Sequence, residues 1–163
     1  MLFVDEAYRL KVDSEKDYGK EAFETLMAAM LLGNPVMIFA GFPTQMEELM
    51  KFNPVIRRIR SVFHLDDYSC EELAQIFVRK LHIRGFTTDL SLADLKSTFE
   101  NKTTVDFRRD WNAGFCDRLF ELAKENFYGR LLSDSFGEIS EDLDISKVSQ
   151  EDIDKAIESI LQY

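Results

Sequence analysis

A chain of 163 residues and 19.0 kDa has room for one domain, or one with a small second. Hydrophobic residues at 45% and charged residues at 31% make a globular balance, and 20 basic against 30 acidic side chains leave −10, which argues against binding through nucleic-acid phosphates. No apolar run nears the roughly 20 residues of a membrane span, the first residues lack a secretory signal, and two cysteines with two histidines suggest neither a disulfide framework nor a metal site; a soluble, acidic, cytoplasmic protein is expected.

The first 68 residues alternate strand and helix. Leu2-Phe3-Val4 is a short apolar run ended by Asp5 and Glu6. Glu21 to Met30 has a helical stripe of Ala22, Phe23, Leu26, Met27 and Met30. Val36-Met37-Ile38-Phe39-Ala40 is continuously apolar, which fits a parallel strand buried on both faces. Pro43 opens a helix to about Met50, and Val62-Phe63-His64-Leu65 is a third candidate strand. This order predicts an α/β layer with a parallel sheet of about three strands.

From Tyr68 onward the periodicity is helical. Ser69 with Glu72 forms a capping box before Leu73, Ile76, Phe77 and Leu81, and Ser91 with Asp94 repeats it. Trp111, Phe115, Leu119 and Leu122 predict one buried stripe on a single helix. Ser149 with Asp152 caps a last helix that turns Ile153, Ile157, Ile160 and Leu161 inward. The acid excess is concentrated at the end, where residues 134–163 hold 9 acids and 2 bases; a solvated helix face with its loop explains that best. Cys70, at a helix start, is expected to have a lowered thiol pKa.

An apolar strand that delivers Asp5 and Glu6 at its C-terminal end is one way to build a nucleotide site, because open α/β sheets bind ligands at that edge. The pair is also what any strand ending at a solvated turn can show. Context separates the two readings. Leu2-Phe3-Val4-Asp5-Glu6-Ala7-Tyr8, Asp17-Tyr18-Gly19-Lys20-Glu21-Ala22, Ala40-Gly41-Phe42, Asn53-Pro54 and Asp67-Tyr68-Ser69 with Glu71-Glu72-Leu73 follow one another in that order. The series resembles the AAA+ ATPases of the CbbX and stage V sporulation protein K type, from residue 2 to about residue 82.

The resemblance implies a partial P-loop NTPase (AAA+) α/β core over residues 1–67 and a helical AAA+ lid over 68–163. It implies ATP and Mg²⁺ as cofactors, a ring of AAA+ subunits (hexameric in the family) as partners, and a protein substrate, with no role for nucleic acid or membrane. Asp5 and Glu6 match the Walker B acids: Asp5 would hold Mg²⁺, generally through water, and Glu6 would polarise the attacking water. Arg58 aligns with the arginine finger that reaches a neighbour's γ-phosphate. The residues alone leave Arg57, Arg58 and Arg60 equivalent as a basic turn.

Several departures qualify the match. Gly19-Lys20 is not a phosphate loop, since Gly-x4-Gly-Lys-Ser/Thr would need glycine where Ser14 stands and Ser/Thr where Glu21 stands. The chain starts on the Walker B strand, so Walker A is missing and the isolated chain is expected not to hydrolyse ATP. The family's Asn-Ala-Arg stretch, with another arginine three residues on, falls on Trp111-Asn112-Ala113-Gly114-Phe115-Cys116-Asp117-Arg118. Gly114 and Asp117 occupy both arginine positions, which leaves Arg118 as a displaced nucleotide contact. The family's sheet also places the missing strand between those near Val62 and Val36. Two functions follow as expectations: part of an ATP-driven protein remodeller, or a catalytically dead remnant that docks on intact AAA+ subunits.

Overall fold

The computed structural model describes residues 1–10, 19–51, 59–134 and 146–162. The chain divides into two compact units, Met1–Leu65 and Asp66–Tyr163.

In the first unit, β1 (Leu2–Val4) pairs in parallel with β2 (Met37–Phe39), in the register Leu2 to Met37, Phe3 to Ile38 and Val4 to Phe39. A 3-10 turn, Ala7–Leu10, follows β1; α1 is Gly19–Leu31 and α2 is Pro43–Met50, with proline in the first turn. Both helices pack on the 3-10 turn. Ala7, Phe23, Met27 and Leu49 form the small core, with Val4, Phe39, Leu26, Met30 and Met46 against it. Phe23 and Met27 are one helical turn apart, and the expected stripe holds there. Ala22 is exposed and falls outside it.

Two expectations for this sheet are corrected. Val62–Leu65 forms no strand: Phe63 is 86% and Leu65 95% exposed, and no strand among the described residues lies beside them to take their hydrogen bonds. Among the described residues the sheet therefore has two strands rather than about three. The 36–40 run is not buried on both faces either. Val4, Met37 and Phe39 are half-buried, whereas Phe3 and its cross-strand neighbour Ile38 are exposed, because among the described residues only one side of the sheet is covered.

The second unit is helical: α3 (Cys70–Ile83), α4 (Leu92–Lys102), α5 (Val105–Asp134) and α6 (Gln150–Leu161). α5 packs against α3 and α6, and α3 against α4. All three capping boxes read from the sequence are present, at Ser69–Glu72, Ser91–Asp94 and Ser149–Asp152. α3 ends in a Schellman motif. Gly85 takes φ 80°, the Phe86 N–H donates to the Leu81 carbonyl at 2.9 Å, and Gly85 N–H to that of His82 at 3.1 Å. That turn drops Phe86 into an aromatic cluster with Phe120 and Phe127, at ring distances of 5.7 and 5.8 Å. A second cluster runs from Phe77 through Phe99 to Phe115. Thr87 pairs with the chain before α6, receiving the Val148 N–H and donating to Ser146.

α5 is broken where the sequence suggested one stripe. Asn112 has φ 45° and ψ −131°, so segments 105–111 and 113–134 are separate helices in all but name. Phe115 and Leu119 are fully buried, but Trp111 is 40% exposed and stacks on Phe107 at 5.5 Å. Phe107 also touches Phe115 with ring centroids 5.6 Å apart. Eight residues rise about 12 Å along a straight helix, so this contact exists only because the helix turns. The turn takes Trp111 out of register with the core.

One buried charge anchors α6. Asp152 is almost wholly buried, receives the Arg130 guanidinium at 2.8 Å and caps Ser149. Burial pushes its carboxyl up, but the bonds from Arg130 and Ser149 outweigh this and hold it below the ordinary value of 3.8. A depressed carboxyl stabilises the fold above its unfolded value, and the effect fades as pH falls through the folded value. Asp152→Asn is expected to cost about 2 kcal/mol in urea unfolding at pH 7. The gap to the natural chain should narrow only below about pH 4.

Candidate functional site

The candidate site lies at the C-terminal end of the parallel pair. Asp5 follows the last residue of β1 and is exposed; Glu6 is half-buried. Backbone bonds pin the turn: Ala40 N–H donates to the Val4 carbonyl, and Ala7 N–H to that of Ala40, both at 2.9 Å. Glu6 N–H donates to Asp5 Oδ1 at 2.9 Å, which orients the first carboxylate along the turn. Glu6 itself has φ 49°, a left-handed conformation that costs a non-glycine residue about 1–2 kcal/mol. Strain of that kind is tolerated where surrounding bonds over-determine the backbone, and it clusters at functional sites.

Glu6 Oε2 pairs with Arg9 Nε at 2.7 Å. Both side chains reach solvent, so the pair is worth at most about 1 kcal/mol and opens readily. Across the turn, Gly41 lets the Tyr8 ring and Met46 close in: a Cβ there would lie 2.8 Å from Tyr8 Cδ1 and 2.9 Å from Met46 Sδ. Phe42 is exposed, its ring 6.3 Å from that of Tyr8. Tyr8 and Gly41 stand in stretches that carry the resemblance, whereas Arg9 lies outside them and is brought to Glu6 only by the 3-10 turn.

No group of three or more metal-ligating side chains occurs among the described residues. Magnesium brought by a nucleotide takes one or two protein carboxylates and fills its shell with water and phosphate oxygens. Exposed Asp5 can serve as that single carboxylate.

The other sites read from the sequence are placed as follows. Arg58 lies outside the described residues, as do Arg57 and the Asn53-Pro54 pair. Arg118 is exposed on α5 in the second unit. Its neighbour Asp117 pairs with Lys80 of α3, which partly neutralises that carboxylate. Gly114 is exposed, and a Cβ there would meet nothing within 4 Å. Cys70 departs from its expectation: burial raises its thiol pKa. Burial pushes Cys116 up to about 12, and its Sγ donates to the Leu73 carbonyl at 3.3 Å, so burial disfavours the thiolate at both cysteines.

Comparison with known proteins adds the following. Residues 67–161 match the family model described as a domain of unknown function, DUF8495. Protein CbxX (plasmid) of Cupriavidus necator is 29% identical across 94% of this chain and 49% of its own length. Protein CbbX of Cereibacter sphaeroides is 44% identical over 47% of this chain and 26% of its own. The chloroplastic ribulose bisphosphate carboxylase/oxygenase activase of Cyanidioschyzon merolae is 40% identical over 47% of this chain and 27% of its own. The chain spans about half the length of the first of these relatives.

The turn around Glu6 should be sensitive to the space at Gly41. Gly41→Ala is expected to destabilise the first unit by about 1–3 kcal/mol and to displace the Tyr8 ring. Tyr8 ring resonances and denaturant unfolding report both; unchanged Tyr8 signals would show that the close approach is not kept in solution.

Proposed function

From the premise that the chain belongs to the CbbX-like AAA+ proteins, with residues 67–161 in the DUF8495 family, we propose that it forms part of an ATPase that remodels protein partners. The observation that carries this reading is the strained turn that sets Asp5 and Glu6 at the C-terminal edge of a parallel strand pair. Asp5 would hold nucleotide-bound Mg²⁺. Glu6, once released from Arg9, would orient the attacking water. Arg58 would act on the γ-phosphate of an adjoining subunit, where a guanidinium matches the charge that builds in the transition state. Residues 1–67 would be a partial nucleotide-binding core and 68–163 a lid, with Arg118 as a displaced nucleotide contact. Other AAA+ subunits in a ring, hexameric as in the family, would complete the assembly. One relative's name gives rubisco as its target; the named site residues of this chain do not select that partner.

The isolated 163 residues are proposed to be inactive, because the Gly-x4-Gly-Lys-Ser/Thr cradle does not occur in them. The β- and γ-phosphates need such a backbone nest and lysine. The same observation, with Gly114 and Asp117 at the arginine positions, favours a second reading in which the chain docks on intact AAA+ subunits without turnover of its own.

In an assembled, ATPase-competent form, Glu6→Gln should retain Mg·ATP binding and abolish steady-state hydrolysis; undiminished turnover would remove Glu6 from the site. Arg58→Ala should lower turnover by about 10³-fold in the ring, and full activity would return Arg58 to an ordinary basic turn. The docking reading expects this chain to co-purify with an active relative and to add no hydrolysis.

A further inference from the structure

Asp67 and Asn112, 45 residues apart, meet at the break in α5. Asn112 Oδ1 accepts the Tyr68 N–H at 2.9 Å, and Asn112 Nδ2 donates to Asp67 Oδ1 at 2.7 Å and to the Arg109 carbonyl at 3.1 Å. Arg109 Nε holds the second Asp67 oxygen at 3.3 Å. The amide uses both of its donors and its acceptor here, so its orientation is fixed by the bonds it makes.

The backbone at Asn112 explains why this residue, rather than another, stands there. Its φ of 45° and ψ of −131° lie close to the first central position of a type II′ turn, where glycine is the least strained choice. Asparagine costs about 1–3 kcal/mol there. Backbone shape alone would therefore favour glycine; only the side-chain grip favours asparagine. The break itself has separate supports, since Phe107 packs on Phe115 and Arg108 caps the end of α4 through the Phe99 and Thr103 carbonyls.

What the amide grips is the point where the chain enters the helical unit. Residues 60–66 form neither helix nor strand and are exposed, and the boundary between the two units falls at Leu65 and Asp66. A segment with so few buried contacts is where local opening is cheapest. The geometry points to Asn112 as a hinge lock: by holding Asp67 and the Tyr68 amide it confines bending to residues 60–66 and keeps it from spreading into the start of α3. This holds whether or not the chain takes part in ATP turnover.

Amide hydrogen exchange on the full chain, read by NMR, tests the lock directly, because the Tyr68 N–H is one of the bonded atoms. Asn112→Gly keeps a residue suited to the break and removes only the grip. It should speed Tyr68 exchange about tenfold while Leu73 and Phe127 exchange as before. Unchanged Tyr68 exchange would overturn the proposal. Should Asn112→Gly raise exchange throughout the unit, Asp67→Ala decides: faster exchange at Tyr68 with Leu73 unaltered supports the lock, and no change at Tyr68 overturns it.

Discussion

The parallel pairing of β1 with β2 is the constraint on which the candidate site depends. Three residues on each strand are in register, and the ladder runs on through Ala40 N–H to Val4 and Ala7 N–H to Ala40. Between those bonds the chain after Val4 makes a tight turn in which Glu6 is left-handed. Asp5 then bonds the Glu6 amide and Arg9 reaches Glu6 from the next turn. So short a ladder cannot hold a strained residue by itself. The 3-10 turn and both helices of the unit close around Ala7, and that buried alanine, immediately after Glu6, ties the strained turn to the core.

The helical unit is organised by a different rule. Its helices begin on side chains and not on packing alone: three serines each accept an N–H from an acid three residues on, and each acid reaches back to the serine N–H. At Glu72 and Asp94 these bonds from the serine lower the carboxyl pKa, as expected when hydrogen bonds favour the charged form. Packing then fills the space between these fixed ends with edge-to-face rings around Phe99 and Phe86. Edge-to-face contacts suit the ring quadrupole, and they let bulky residues from different helices interlock without a void.

Most of this second unit was legible in the sequence. Capping boxes are strings of adjacent residues with a local mechanism, and apolar residues at helical spacing report a buried face. The break at Asn112 was not legible, because Trp111, Phe115 and Leu119 keep perfect spacing across it. Periodicity is blind to a single residue that leaves the helix and lets it resume. What decides the break is tertiary: the contact of Phe107 with Phe115 and the grip on Asp67 and Tyr68. In the first unit the run at 36–40 was read as doubly buried from its composition, yet burial depends on what covers a face, and Phe3 and Ile38 show that one face is open. Val62–Leu65 has strand composition as well; a strand also needs a neighbour to bond, which composition cannot report.

The candidate site divides along the same line. Asp5 and Glu6 were found because an apolar strand ending in two acids is a local pattern, and their place on the sheet edge follows from it. Arg9 escaped notice because an arginine three residues beyond a glutamate is common, and only the 3-10 turn makes the two meet. Lys80 escaped because its partner Asp117 lies on another helix. That pairing changes how Asp117 reads. An aspartate paired with a lysine contributes less net charge than a free one. Arg118, the next residue on α5, is exposed.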